Sequence, residues 1–191
     1  MQKKTNWIQT YSGIKFYPLE PDLDKITIID IAHALSLLCR YNGHCSKFYS
    51  IAQHSVIISK LCSEENALCG LLHDAAEAYI SDIPRPVKHR LLGFEEIENN
   101  LLSVIFERFN VSGTITDEIK ELDARICLNE GQALMKDTSD WVLAKDFDPI
   151  DNLIIESVDW YIAKNMFLNR FYELATSCLF SNDKRCNYIS L

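Results

Sequence analysis

Along most of this chain apolar residues recur at helical spacing, and proline, glycine and asparagine mark where each run stops. The first stretch is different. Over 8–17, β-branched and aromatic residues flank Ser12 and Gly13, which predicts a short β-hairpin, followed by a loop around Pro18 and Pro21. Asp30 is placed to cap a helix over 31–41 that Asn42 and Gly43 end. Ser50 with Gln53 three residues on has the capping-box pattern, so a second helix runs through Val56, Ile57, Ile58 and Leu61, with His54 near its start. A third helix is expected over 64–79, broken after Ser81 by Pro84 and Pro86. Apolar residues at 94, 97, 101, 102, 105, 106 and 109 predict an amphipathic helix. Thr114 to Thr116 can start the next one, through Ile119, Leu122, Ile126 and Leu134. A polar loop over 136–149 leads to a long last helix over 152–179, whose aromatics suit a core or a subunit interface. The pattern predicts an all-α fold: a compact helical bundle with a short N-terminal β-hairpin. Residues 1–25 form hairpin and loop, 30–180 the helical core and 181–191 a loose tail, within one domain of 1–191.

Composition narrows the class. A chain of 191 residues with 48% hydrophobic and 24% charged residues can bury a full core and fits one domain better than two. The longest apolar stretch, 26–39, is interrupted by Asp30 and His33 and is too short to cross a bilayer, so no membrane association is expected. Residues 1–6 lead into no signal-type apolar segment. The 7 cysteines are odd in number and never spaced Cys-x-x-Cys, which favours reduced, buried thiols in a cytoplasmic protein. A net charge of −8 argues against a nucleic-acid surface, while leaving room for a small anionic substrate held by a few local cations. The aromatic last helix offers a candidate interface for a homo-oligomer.

Against this background His73, Asp74 and Glu77 stand out, because they fall inside an apolar run. On an α-helix His73 and Glu77 share a face, with Asp74 beside them. Burying such groups is costly unless they are paired or bind a metal. A helix cap or a buried ion pair would satisfy that condition, and so would a metal. A metal needs further ligands, and His54 and Asp123, on neighbouring helices, are the candidates.

The order His54, then His73-Asp74, then Asp123 resembles that of the HD-domain metal-dependent phosphohydrolases, over about Arg40 to Cys127. More narrowly it is similar to the 5′-deoxynucleotidase branch and to phage deoxynucleoside-triphosphate hydrolases. The blocks that carry this are Gln53-His54-Ser55, His73-Asp74-Ala75-Ala76-Glu77, Asp82-Ile83-Pro84-Arg85-Pro86-Val87-Lys88 and Leu122-Asp123-Ala124. The resemblance implies His54, His73, Asp74 and Asp123 as metal ligands and Glu77 as the acid/base group. It implies Asp82 as the residue that binds the sugar and rejects a 2′-hydroxyl, and Arg40 as the phosphate clamp. Tyr41 stands where those deoxynucleotidases carry tryptophan, as a base-stacking candidate, and Lys88 is a candidate polyphosphate contact. Two imidazoles and two carboxylates suit one divalent transition ion, zinc, manganese, cobalt or iron, with additional magnesium for a polyphosphate substrate. Plain readings stand beside these roles: a solvated carboxylate for Glu77, a turn aspartate for Asp82, a solvated Lys88. His33 and His44 are expected in structural or rim positions, and His89 at the surface.

The function this implies is hydrolysis of 2′-deoxynucleotides in the cytoplasm, the host cytoplasm for a phage-encoded member. Either phosphate is released from monophosphates, or a longer phosphate chain from triphosphates, deoxyadenosine nucleotides among them. The alternatives are hydrolysis of an alarmone such as guanosine tetraphosphate, and a catalytically silent nucleotide-binding scaffold.

Overall fold

A computed structural model describes residues 6–111 and 113–180, the side chains of 177–180 excepted. The fold is all-α with an N-terminal hairpin. Strands β1 (Ile8–Gln9) and β2 (Lys15–Phe16) pair antiparallel, Ile8 opposite Phe16 and Gln9 opposite Lys15. Eight α-helical segments follow among the described residues. These are α1 (Ile28–Leu37), α2 (Ile51–Leu61), α3 (Ala67–Leu72), α4 (Glu77–Ile80), α5 (Arg85–Lys88), α6 (Phe94–Arg108), α7 (Asp117–Leu134) and α8 (Trp160–Phe180). No helix among the described residues is long and apolar enough to cross a membrane.

Helix α2 is the axis. Ile51, Ala52, Gln53, His54, Ser55, Val56, Ile58 and Ser59 are all buried, so apart from its C-terminal turn it is covered on every side, as a central helix must be. Its cap is the expected Ser50, whose side chain accepts from the Gln53 N–H. Helices α1, α3, α7 and α8 pack around it. Gly70 lets α3 come close: a Cβ there would lie 2.7 Å from Cys62 Sγ and 3.2 Å from Ile58 Cγ2.

Several boundaries differ from the sequence expectation, each for a visible reason. Helix α1 is capped by Thr27 rather than Asp30. The Thr27 side chain accepts from the Asp30 N–H, its hydroxyl donates to Asp30 Oδ2 at 2.9 Å, and Asp30 Oδ1 accepts from the Ser12 N–H at 2.7 Å. Asp30 thus ties the hairpin to α1, and the buried ring of Phe16 stacks on Tyr79 at 4.2 Å. Helix α1 also stops earlier than expected. Arg40–Gly43 is a separate 3₁₀ turn with Tyr41 and Asn42 at φ of 56° and 50°, in the left-handed region.

The helix expected over 64–79 is interrupted. Residues 73–76 form tight turns between α3 and α4, closed by bonds from Ala75 N to Leu72 O and from Glu77 N to Asp74 O, both 3.0 Å. The last helix starts at Trp160, and the chain before it has no regular helix from 146 on, because side chains pin it. The Asn129 amide accepts from Ile150 N at 2.8 Å and donates to Ile150 O at 2.9 Å. Gln53 donates to the Glu156 carbonyl and accepts from Val158 N. Phe167 and Phe171 are core residues, whereas Trp160 and Tyr161 remain exposed. Of the described cysteines only Cys69 is fully buried; Cys39, Cys45, Cys62 and Cys127 are free and half-buried. Cys178 and Cys186, and the tail expected over 181–191, lie outside the described side chains and residues.

Candidate functional site

Four elements converge on one point. Helix α2 brings His54, the turn after α3 brings His73 and Asp74, helix α7 brings Asp123, and the 3₁₀ turn at Arg40–Gly43 brings Arg40. One ligand atom from each of His54, His73 and Asp123 lies within 4.8 Å of the other two. Asp74 joins from the side, with Oδ2 at 3.1 Å from His73 Nε2, 3.8 Å from His54 Nε2 and 3.8 Å from Arg40 Nη1. The histidines are buried, while the side chains of Asp74 and Asp123 keep 22% and 36% of their surface exposed. The cluster therefore opens to solvent on its carboxylate side.

Both imidazoles present the same atom. His54 Nδ1 lies 2.7 Å from Glu130 Oε1, and His73 Nδ1 lies 2.8 Å from the Gly70 carbonyl. Those partners only accept, so each Nδ1 carries a proton and each Nε2 is the face turned to the cluster. Both Nε2 atoms are buried, and each meets a carboxylate oxygen, Asp123 Oδ1 at 3.2 Å from that of His54 and Asp74 Oδ2 at 3.1 Å from that of His73. Two buried Nε2 atoms facing two carboxylates are a donor set that fits a divalent transition ion, His54, His73, Asp74 and Asp123 being the residues that could hold it.

The electrostatics agree with that fit. Burial and Arg40 oppose a charge on His54, but Glu130 and Asp123 outweigh them and its pKa is pushed up to about 9. A metal ion competes with that proton for the same lone pair. Asp123 is held well below the usual carboxylate range, because His54, His73 and Arg40 overcome its burial. Asp74 is likewise lowered against its burial penalty, by His73 and His54. Glu130 is lowered too, with Arg40 and His54 overcoming its complete burial. Three ionised carboxylates thus face one guanidinium and two imidazoles, a surplus of negative charge that a dication offsets.

Glu77 behaves oppositely. Burial, with Asp74 and Asp82 beside it, pushes its carboxyl well above the ordinary glutamate range, and its Oε2 is buried without a partner. It borders a cleft of about 480 Å³ lined by Ala34, Leu37, Leu38, Ala78, Tyr79, Ile80 and Ser81. Asp82 is half-buried, and its carboxyl is raised by burial against the pull of Arg40.

The remaining candidates divide. Arg40 and Tyr41 are at the cluster, joined to it through a residue that sequence reasoning missed. Glu130 is fully buried, and its Oε2 accepts from Arg40 Nε at 3.0 Å and from the Tyr41 hydroxyl at 2.8 Å while Oε1 holds His54. A signal for it existed: it lies two helical turns after Asp123 on the same face of α7. Lys88 is paired with Glu98 and reaches Asp82 only through its charge. His33 stacks on Tyr11 at 3.7 Å near Lys164 and Trp160, apart from the ligand set, and His44 and His89 are exposed.

Fold and cluster together define an all-α protein with a buried histidine–carboxylate centre. No family model matches the chain. The chain is 35% identical over 171 residues to the uncharacterized protein YfdR of Escherichia coli (strain K12), covering 89% of this chain and 96% of that protein. It is also 32% identical over 127 residues to the uncharacterized protein RCAP_rcc00048 of Rhodobacter capsulatus, covering 61% of this chain and 65% of that protein. The chain belongs to the YfdR family.

Proposed function

We propose that the protein is a metal-dependent phosphohydrolase of the HD-domain kind, acting on 2′-deoxynucleotides. The observation that carries this reading is the pair of buried Nε2 atoms of His54 and His73 turned onto the carboxylates of Asp123 and Asp74, with an arginine and a proton-holding glutamate at the same place. The chemistry a divalent ion supplies when bound there is Lewis-acid polarisation of a phosphoryl oxygen and acidification of water. The chain does the rest. Arg40, steadied through Nε and with Nη1 3.8 Å from Asp74 Oδ2, sets its guanidinium charge beside the cluster, where phosphate oxygens would bind. Glu77 exchanges protons with attacking water and leaving oxygen, a task for which a raised carboxyl pKa is suited. Asp82, at the rim beyond α4, is the group for the sugar, and the Leu37–Ile80 cleft beside Glu77 gives an apolar surface for a base.

The test is a substrate panel. Protein loaded with manganese, cobalt or zinc is incubated with deoxy- and ribonucleoside mono- and triphosphates and with guanosine tetraphosphate, and released phosphate and triphosphate are separated. Metal-dependent release from deoxynucleotides, lost in Asp74→Asn with helical content unchanged, is the expected result. Turnover of guanosine tetraphosphate alone, or of nothing with any metal, overturns the reading.

A further inference from the structure

Glu130 is one carboxylate doing two jobs at opposite oxygens, and the two jobs belong to different parts of the site. Oε1 meets His54 Nδ1 at 2.7 Å. Oε2 meets both Arg40 Nε at 3.0 Å and the Tyr41 hydroxyl at 2.8 Å. The side chain is fully buried, so water does not compete for either oxygen. Arg40 lies in the turn where Tyr41 and Asn42 take left-handed backbone angles, a conformation non-glycine residues hold only where the surroundings fix it. The Tyr41 hydroxyl on Glu130 is one such anchor.

We infer that Glu130 is a positioning residue that locks the metal-facing imidazole of His54 and the phosphate-facing guanidinium of Arg40 into one rigid unit. The inference rests on the metal-site reading above and deepens it. Holding Nδ1–H fixes which nitrogen of His54 faces the ligand set, and such outer partners are worth roughly 10- to 100-fold in metal affinity. Holding Arg40 Nε fixes the roll of the guanidinium plane and so the direction of Nη1, which already faces Asp74 at 3.8 Å. Both partners are donors, and only an ionised carboxylate can accept on both sides.

Glu130→Gln separates the two jobs, because an amide has one accepting and one donating end. With the NH₂ turned to His54, the imidazole is driven to the other tautomer, its Nε2 carries the proton, and metal affinity falls. With the NH₂ turned to Arg40, two donors clash and phosphate binding suffers. Zinc affinity is measured by competition with a chromophoric chelator, without substrate, and KM and kcat for a deoxynucleotide are measured separately. The expected result is zinc binding weakened roughly 10- to 100-fold, or a raised KM with kcat changed less, in a protein whose far-ultraviolet circular dichroism is unaltered. Wild-type zinc affinity together with wild-type KM overturns the inference while leaving the metal reading standing. No zinc uptake by the wild-type protein removes both.

A second measurement needs no variant. In the zinc-loaded wild-type protein, ¹⁵N shifts of histidine place the metal on His54 Nε2 and the proton on Nδ1. Zinc on Nδ1, or no zinc on His54, overturns the role given to Glu130 even if Glu130→Gln fails to fold.

Discussion

Gly70→Ala tests whether the site is built the way the packing says. Gly70 is in the interior of α3, where alanine would gain about 0.8–1.0 kcal/mol of helix propensity. Against that gain, the new Cβ would stand 2.7 Å from Cys62 Sγ and 3.2 Å from Ile58 Cγ2, both closer than ordinary van der Waals contact. Overpacking of this kind typically costs about 1–3 kcal/mol. The steric term wins, and a net loss of about 1 kcal/mol lowers the melting temperature by about 2–4 °C in a protein of this size. The same push moves the Gly70 carbonyl, which holds His73 Nδ1 at 2.8 Å, so zinc affinity falls along with stability. The assay is thermal unfolding of the metal-free protein, with zinc competition alongside. Cys62→Ala removes the shortest contact, so the double variant recovers part of the loss, with a coupling of about 0.5–3 kcal/mol, the range for residues in contact. If Gly70→Ala instead raises the melting temperature and shows no coupling to Cys62→Ala, α3 does not lie against α2 as described, and the placement of His73 beside His54 fails with it.

Three further outcomes follow from the site and its surroundings. Zinc or manganese at about 100 times its dissociation constant adds about 2.7 kcal/mol to the wild-type protein and raises its melting temperature by about 5–10 °C, whereas His54→Ala shows little shift; equal shifts in both place the ion elsewhere. Glu77→Gln stabilises the metal-free protein while abolishing turnover. The Glu77 carboxyl pKa is raised on folding, so its ionisation works against the fold once pH exceeds the unfolded value near 4.3, and the variant's advantage in melting temperature grows from pH 5 to pH 8; a constant difference refutes the cause. Glu118 accepts from the Ser63 N–H and hydroxyl, each at 2.7 Å, and from the Asn66 side-chain amide, and these contacts lower its pKa. Its contribution is present above about pH 4.3 and is lost as pH falls through the lower folded value, so Glu118→Gln flattens the acid limb of the stability profile, read by guanidinium titration between pH 3 and 6.

What could be read from the sequence follows from which signals are local. The ends of α2 and α7 rest on Ser50 and Thr116, whose side chains accept from N–H groups three residues on, and a capping signal of that kind is complete within four residues. His73 and Asp74 could be picked out because they are costly groups in an apolar run, and His54 and Asp123 because a metal there needs further ligands and the order of the blocks resembles a known family. Glu130 carries only the weak mark of lying two turns after Asp123 on one face of α7; its partners, Arg40, Tyr41 and His54, are on other elements, so it is the fold that singles it out from other helical glutamates. The late start of α8 has the same origin. The side chains of Asn129 and Gln53 take up backbone groups of Ile150, Glu156 and Val158, a tertiary override of an apolar pattern that reads as helix.

The interruption between α3 and α4 is where sequence geometry and structure part most usefully. On a continuous α-helix His73 and Glu77 would be stacked neighbours, one turn apart. The bonds that span three residues instead of four, from Ala75 to Leu72 and from Glu77 to Asp74, tighten the chain there. Asp74 and Glu77 stand three apart across this turn, and the Asp74 charge is among the causes that raise the Glu77 carboxyl. Two like charges that close are not both ionised at low cost. Asp74, facing His73 and His54, keeps the charge; Glu77, with burial and Asp74 against it, keeps the proton. The opposite protonation of Asp74 and Glu77, on which the proposed roles of ligand and acid/base group rest, therefore arises within one turn of chain.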